Sequence, residues 1–303
     1  MSNTSIPDIY HRITEKIIAS LEAGVAPWVR PWNTEVDPVP INAQFRRHYR
    51  GVNFLTLQLE ASLRGYYRSC WLTYQQAIKL GGQVRKGEHG VPVVFWKLHK
   101  IDAKAETEPW IIEHELSERV VPLLRYYTVF NTAQIEGLPP AIADPAPSVP
   151  GWTSETVAED LIQASGAEIR HGGSRAYYQP ALDYIHLPTR SSFPSAAPYY
   201  ATALHELVHW TGHSSRLNRR LTGRFGEEAY AMEELVAELG SAFLCAACRV
   251  EGQLQHASYV SSWLKALRND KRAIFVAGTK AQNAADFLTK SLVGLPDALE
   301  RVA

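Results

Sequence analysis

The feature that most constrains this chain is a pair of histidines four residues apart, with a glutamate directly after the first. Apolar residues surround the pair and Gly212 follows it, which predicts a buried helix that ends near this glycine. Positions i and i+4 share one face of a helix, so His205 and His209 can bind the same metal ion. Glu206 stands one position further round, where its carboxylate can reach a water beside that ion. This arrangement is typical of zinc metallopeptidases, in which the glutamate acts as the general base.

The third metal ligand has two kinds of source, and the spacing decides between them. Where a third histidine completes the pattern, it stands at the position that Ser215 occupies here, whereas the nearby histidine is His213. The alternative source is a glutamate from a second helix, and the stretch 227–238 is rich in glutamate. We therefore expect the third ligand to come from that stretch.

Two glutamates of that stretch, Glu234 and Glu238, are four residues apart and share a helix face, with Tyr230 one turn earlier. We predict Glu234 as the third ligand and Glu238 as the carboxylate that accepts the N–H of a ligating histidine. The reverse assignment, and Glu233 as the ligand, stay open. The expected cofactor is one Zn²⁺ per chain, with another divalent ion such as Mn²⁺ as the alternative. Tyr230 and His213 are the candidates to stabilise an oxyanion.

The composition excludes some classes of protein. Lysine and arginine together number 31, as do aspartate and glutamate, so the 303-residue chain carries no formal net charge. A protein that imitates DNA needs a strongly acidic surface, which this chain lacks. No apolar run approaches a membrane span and no signal peptide is recognised, so we expect no membrane partner and a cytoplasmic location. Three cysteines, an odd number, argue against a disulfide framework and suit a reducing compartment.

Basic and aromatic residues concentrate between positions 41 and 100. This stretch holds ten lysines and arginines against two glutamates, and aromatic residues alternate with the charges. Cations beside exposed rings suit single-stranded nucleic acid, because the charges follow the phosphates while the rings stack on bases without reading sequence. Buried rings beneath a solvated charged face are the alternative interpretation. The individual candidates for contact with single-stranded DNA are Arg46, Arg47, Tyr49, Arg50, Arg85, Lys86 and Trp96.

The chain divides into two modules, which predicts an α+β fold with two domains. Residues 1–138 form the mixed α+β module that is expected to bind single-stranded DNA, and residues 139–151, rich in proline and alanine, are predicted to be a linker. Residues 152–303 form the zincin-like metallopeptidase module. Because the basic stretch precedes the linker, a fragment ending near Pro139 is expected to bind single-stranded DNA nearly as well as the whole chain.

Local patterns predict several elements within these modules. Isoleucines at helical spacing indicate a helix over 8–23, and the stretches 91–97 and 125–131 are predicted to be strands that pair. A third stretch, 214–226, contains Arg216, Arg219, Arg220 and Arg224. It is interpreted as a solvated loop, with a loop that contacts DNA or gates the site as the alternative.

Several short motifs in combination resemble the ArdC-type antirestriction proteins. Before the proline-rich stretch they are Pro-Trp followed by Pro-Trp-Asn, Tyr-Arg-Gly-Val-Asn, Trp-Leu-Thr-Tyr-Gln-Gln-Ala, Val-Arg-Lys-Gly-Glu and Val-Phe-Asn-Thr-Ala-Gln. After it they are His-Glu-Leu-Val-His-Trp-Thr-Gly-His and Glu-Glu-Leu-Val-Ala-Glu. The resemblance covers nearly the whole chain.

This resemblance implies a single-stranded DNA-binding N-terminal domain and a C-terminal metallopeptidase domain similar to the Spartan and SprT proteases. It also implies protection of incoming plasmid DNA from host restriction, with a host protein as a candidate substrate. In glutamate zincins of similar pattern the first glutamate of E-x-x-A-E is the third ligand, which matches Glu234. Two other functions stay open: a protease that clears DNA–protein crosslinks, and a DNA-binding protein with a non-catalytic metal site.

Overall fold

The computed structural model describes residues 6–26, 28, 39–101, 119–143, 154–219, 228–250 and 257–290. Helices and strands occur in both halves of the chain, and the predicted α+β class is confirmed.

The N-terminal half is built on a five-stranded sheet of order β2-β1-β3-β6-β5. Its elements are α1 (Ile6–Glu22), β1 (Ile41–Asn42), β2 (Arg47–His48), α2 (Val52–Leu63), β3 (Cys70–Thr73), α3 (Tyr74–Lys79), β4 (Gln83–Val84), β5 (Val91–Ile101), β6 (Arg119–Asn131), a 3₁₀ turn (Thr132–Gln134) and β7 (Ile135–Glu136). Strands β5 and β6 pair antiparallel from Val91 opposite Val129 to Ile101 opposite Arg119, as the sequence predicts. The short strands β4 and β7 form a separate pair.

The C-terminal half packs helices beneath a three-stranded sheet of order β8-β10-β9. Its elements are α4 (Pro140–Ala143), α5 (Ser154–Ser165), β8 (Glu168–His171), β9 (Tyr177–Gln179), β10 (Tyr184–Leu187), a 3₁₀ turn (Arg190–Ser192), α6 (Ala196–Thr211), α7 (Glu228–Cys248), α8 (Ala257–Asn269) and α9 (Ala273–Thr289). Strand β10 pairs parallel with β8 and antiparallel with β9. The inward side chains of β10, Ile185 and Leu187, are fully buried in the same core as α6.

Local sequence signals account for several of these elements. The predicted helix over 8–23 appears as α1, and its isoleucines Ile9, Ile13 and Ile17 are buried on one face. Helix α3 begins with a capping box, in which the Thr73 hydroxyl accepts the Gln76 N–H and the Gln76 side chain accepts the Thr73 N–H. The chain therefore changes from strand to helix at Thr73, whose hydroxyl accepts a backbone N–H of the first helical turn that has no partner within the helix.

The main hydrophobic core cluster spans both halves of the chain, and two smaller clusters lie within the N-terminal half. The core cluster joins residues of α1 and α2 to residues of α7, α8 and α9. Phe54 of α2 meets Phe243 of α7 edge to face, with ring centroids 5.0 Å apart. A Cβ atom on Gly278 would lie 3.2 Å from the backbone nitrogen of Val52, so α9 and the start of α2 pass very close together. A fragment that ends near Pro139 would expose these apolar faces to water.

The stretch predicted to be a linker is ordered at its start. Helix α4 occupies Pro140–Ala143, and Ile142 packs against the small cluster that contains Leu72 and Ile135. Residues 144–153, which hold the rest of the predicted linker, lie outside the described part of the chain.

The three cysteines, Cys70, Cys245 and Cys248, are free and buried. Burial raises the pKa of the Cys245 thiol to about 12, so this group stays protonated and behaves as a small apolar side chain. Among the described residues, no helix combines the length and apolar character needed to cross a membrane.

Candidate metal centre

The candidate centre lies between helices α6 and α7, which approach closely. A Cβ atom on Gly240 of α7 would lie 2.8 Å from a methyl carbon of Val208, closer than real contacts allow. Val208 stands between the two histidines of α6, so glycine at position 240 lets α7 bring its glutamates up to both imidazoles. The approach of the two helices depends on this missing side chain.

Three side chains converge from these helices. The Nε2 atoms of His205 and His209 each lie 3.6 Å from an oxygen of Glu234, one from each carboxylate oxygen. The three donor groups lie within 4.8 Å of one another. Donors about 2.1 Å from a tetrahedral ion lie about 3.4 Å apart. The set of two imidazoles and one carboxylate therefore fits a divalent metal ion.

The outward nitrogen of each histidine faces a second carboxylate. His205 Nδ1 lies 3.4 Å from Glu238, and His209 Nδ1 lies 3.3 Å from Glu233. A carboxylate at Nδ1 holds the proton there and leaves Nε2 free to act as a ligand. Glu238 occupies the place that the sequence assigns to it, whereas Glu233 has a role that spacing did not indicate.

Glu233 is held in turn by an arginine from the loop after α6. Arg219 Nη2 donates to Glu233 Oε1 at 2.9 Å and Arg219 Nε donates to Oε2 at 3.1 Å. The same guanidinium donates to the carbonyl of Val208 at 2.6 Å and to the hydroxyl of Thr211 at 2.9 Å. The side chain of Arg219 is 6% exposed, so the pair is shielded from solvent. This network fixes the carboxylate that orients His209.

Arg216 and Arg219, the two arginines of this loop that the structure describes, do not form the solvated surface that the sequence predicts. Arg216 donates to the carboxylate of Asp183 at 2.9 Å and to the carbonyl of Trp210 at 2.7 Å, and its guanidinium lies over the Trp210 ring. Both described arginines, Arg216 and Arg219, fasten the loop to the helix that carries the histidines, because their planar groups can bind several acceptors at once. Arg220 and Arg224 lie outside the described residues.

The charges at the centre shift the pKa values of its groups. Burial opposes protonation of His205, but hydrogen bonds to Glu234 and Glu238 and the charge of Glu206 raise its pKa to about 10. Burial likewise opposes protonation of His209, and Glu233 and Glu234 raise its pKa to about 9. Burial would raise the pKa of Glu234, yet the two histidines lower it well below its ordinary value. Without a metal, the cluster is a set of ion pairs.

The remaining candidates lie around the ligands. Glu206 is buried on α6, and its charge acts on both His205 and the hydroxyl of Tyr259. Tyr230 contacts Tyr259 through their hydroxyl oxygens at 3.2 Å, and burial, Tyr259 and Glu234 raise its pKa. His213 instead bonds the Ser215 hydroxyl at 2.7 Å and is not among the three converging donor groups. Tyr230 is thus a neutral hydroxyl near the carboxylate of Glu234.

The seven candidates for DNA contact differ in what surrounds them. Arg46, Arg47 and Lys86 are exposed. Arg85 is exposed but pairs with Glu88 at 2.8 Å, and Arg50 pairs with Asp286 of α9.

The two aromatic candidates have different outcomes. Tyr49 is buried in the cluster around Trp71, so its ring is not available to stack on a base, which corrects that expectation. Trp96 lies in β5, and its side chain is outside the described part of the structure. The rings that are exposed are others, among them Phe45, Tyr127 and Phe95. The alternation of charged and aromatic residues in the sequence could not distinguish these exposed rings from the buried ring of Tyr49, because that pattern does not show which parts of the sheet are covered.

Two family models match the chain. Residues 7–130 match the N-terminal domain of the anti-restriction factor ArdC, and residues 156–280 match a zincin-like metallopeptidase.

Relatives among curated proteins include one of similar length and longer ones. The chain is 44% identical over 285 residues to protein y4eC of Sinorhizobium fredii, a match that covers 93% of this chain and 91% of the relative. It is 40% identical over 294 residues to the DNA primase TraC of Escherichia coli. This match covers 92% of this chain but only 27% of TraC. A unit similar to this chain is therefore a minor part of TraC.

Two solved structures have a similar fold along nearly the whole chain. They are the metal-free and Mn(II)-bound crystal structures of the antirestriction ArdC protein from plasmid R388, each 42% identical in sequence. The TM-scores are 0.78 and 0.76, over 94% of this chain and 97% and 98% of theirs.

Proposed function

The chain belongs to the ArdC family of antirestriction proteins, and we propose that it binds single-stranded DNA and carries an active metallopeptidase site. Its biological output is the protection of incoming plasmid DNA from host restriction. The DNA-binding module comprises residues 1–138, the metallopeptidase module residues 152–303, and the stretch 139–151 connects them. Both activities belong in the cytoplasm, where the free cysteines stay reduced.

The observation that carries the proposal is the convergence of His205, His209 and Glu234 beside Glu206. Nitrogen and carboxylate donors in this number suit Zn²⁺ in a catalytic site, where three protein ligands leave a position open. The Mn(II)-bound relative supports Mn²⁺ as the alternative ion. A site whose purpose is structural usually closes its fourth position with another ligand and has no use for a buried glutamate beside it. Glu206 therefore argues against a non-catalytic metal site.

The residues around the ion have separate tasks in peptide hydrolysis. A divalent ion bound here supplies Lewis acidity toward a peptide carbonyl. The carboxylate of Glu206 accepts a proton from the attacking water and delivers it to the amide nitrogen that leaves. Tyr230, whose raised pKa keeps it protonated, donates a hydrogen bond to the developing oxyanion. Glu238 and Glu233 hold the two imidazoles in the orientation that these steps require.

The DNA surface belongs to the N-terminal half. Arg46, Arg47 and Lys86 are exposed there and attract phosphates with little regard to sequence. The relative named as a DNA primase supports an association of this unit with DNA. DNA binding together with peptide hydrolysis suits a substrate that is a host protein bound near the DNA.

A protease that clears DNA–protein crosslinks would use the same two activities, and one experiment separates the functions. Plasmid DNA is transferred into restricting and non-restricting recipient cells that receive the wild-type chain, Glu206→Gln or Glu234→Ala. We expect the wild-type chain to raise transfer only into restricting recipients. Equal transfer into restricting recipients with and without the wild-type chain would contradict the antirestriction role. Cleavage of a crosslinked protein in vitro would then favour the repair function. Loss of protection in Glu206→Gln would show that proteolysis is required.

A further inference from the structure

The turn between β1 and β2 is a rigid hairpin tip formed by residues 42–47. The Asn42 side-chain oxygen accepts the backbone N–H groups of Gln44 and Phe45, both at 3.1 Å. The N–H of Arg46 donates to the Asn42 carbonyl at 2.8 Å. Arg46 has a φ of 57°, a left-handed conformation that costs free energy for a residue with a side chain. The backbone of the tip is therefore held in one conformation.

This tip presents an aromatic ring to solvent. Phe45 is 61% exposed, more than any other aromatic side chain among the described residues. An exposed ring contributes little to folding, because its apolar surface stays in water. A rigid turn that places such a ring outward is typical of a contact site, since a partner would not have to order it on binding.

Among the described residues, the two arginines beside the ring differ from three other arginines of the basic stretch, which are paired with carboxylates. Arg64 lies 2.6 Å from Glu60, Arg85 lies 2.8 Å from Glu88, and Arg50 pairs with Asp286. Within the described part of the chain, Arg46 and Arg47 have no carboxylate at ion-pair distance. Their positive charge is therefore available to an anion from outside.

We propose that Phe45 stacks on an unpaired nucleobase while Arg46 and Arg47 contact the adjoining phosphates. This inference rests on the proposed function and names the stacking residue of that DNA surface. The occupant is single-stranded DNA, because a base paired within a duplex has no open face for the ring. A duplex or an acidic protein would use the two arginines without needing the ring.

The surface continues from the tip onto α3. The Asn42 side-chain nitrogen donates to Gln76 at 3.2 Å, which ties the hairpin to the first turn of that helix. Tyr74 and Lys79 are exposed on the same short helix. A second base or phosphate of the strand would lie on this side of the tip.

The test compares Phe45→Ala with the wild-type chain on two labelled strands of equal length, one of thymidines and one of abasic sites. Fluorescence anisotropy of the full chain gives each Kd. We expect Phe45→Ala to weaken binding to the thymidine strand about 5- to 100-fold and to leave the abasic strand nearly unchanged. Leu63→Ala is the matched control, because Leu63 is an apolar side chain that is 66% exposed in the same half. This variant should bind both strands as the wild type does.

Two further variants separate stacking from general contact. Phe45→Tyr should retain most of the affinity and Phe45→Leu should not, because only an aromatic face can stack on a base. Arg47→Gln should weaken binding to both strands and lessen the salt dependence. Equal affinity of Phe45→Ala and wild type for the thymidine strand would overturn the stacking assignment while DNA binding stands. A wild-type chain that binds neither strand would overturn the DNA-binding function itself.

Discussion

Arg219 and Glu233 form a buried ion pair whose two shortest hydrogen bonds are 2.9 and 3.1 Å long, and the same carboxylate lies 3.3 Å from Nδ1 of His209. Arg219 therefore affects the metal centre indirectly, because it positions the carboxylate of Glu233, which in turn orients the imidazole of His209. Burial opposes ionisation of Glu233, but His209 and Arg219 lower its pKa, so it remains an acceptor for the Nδ1 proton. An unpaired carboxylate in this place would be costly to bury.

The first prediction concerns this arginine. Arg219→Gln should weaken metal binding about 10- to 100-fold, the effect typical of losing a group that orients a metal ligand. Arg216→Gln is the control, because Arg216 lies in the same loop but pairs with Asp183 rather than with a carboxylate of the centre. Competition with a chromophoric chelator measures both affinities. Equal losses in the two variants would mean that the loop as a whole, not the pair with Glu233, determines the affinity.

The second prediction ranks the residues around the ion. Glu234→Ala should lose most of the metal, because it removes one of three donors. Glu238→Ala should bind about 10- to 100-fold more weakly, since it removes only the acceptor for the His205 proton. His213→Ala should keep full occupancy, because His213 bonds Ser215 instead. Elemental analysis after dialysis checks all three, and full occupancy in Glu234→Ala would place the third ligand elsewhere.

The third prediction is a pH dependence of the metal-free protein. Folding raises the pKa of His205 to about 10 and that of His209 to about 9, from an ordinary value near 6.5. Their ion pairs with Glu234 therefore stabilise the fold fully below about pH 6.5, and this contribution is lost as the pH rises through 9 to 10. The Tm of chelator-treated protein should therefore fall as the pH rises from about 6.5 to about 10. Metal-loaded protein is the control, because its histidines are already neutral ligands, and parallel curves for the two forms would contradict the prediction.

The fourth prediction follows from the shared core. Phe54→Ala should lower the free energy of unfolding by about 3–5 kcal/mol, because it leaves a cavity against Phe243 of α7. Both halves should then unfold together at a lower temperature. Circular dichroism follows the transition of the whole chain, and chelator competition before unfolding shows whether the metal centre is intact. Leu182→Ala, at a 65% exposed position, should leave the Tm unchanged. Two separate transitions would show that the halves are independent.

Local patterns in the sequence predict several helices and strands and two of the three donors of the centre. Helical periodicity predicted α1, and the short apolar and aromatic stretches 91–97 and 125–131 predicted parts of β5 and β6, because such patterns depend on the local geometry of the chain. The spacing of His205 and His209 indicated a common site for the same reason, since residues four apart share a helix face, whereas the glutamate-rich stretch 227–238 left Glu233, Glu234 and Glu238 open as the third ligand. The capping box at Thr73 is likewise a local signal.

The packing of the folded chain places Glu233 and Arg219 beside these donors and determines which surfaces face water. Arg219 comes from a loop without periodicity, and its pairing with Glu233 depends on how the chain folds back after α6. Tyr49 is buried because it packs in the cluster around Trp71, whereas Phe45 is exposed because it lies in the turn between β1 and β2. The joining of the two halves depends on close packing at Gly278, where α9 meets α2. Contacts between residues distant along the chain leave no regular spacing in the sequence, because they are set by packing and not by the repeat of a helix or strand.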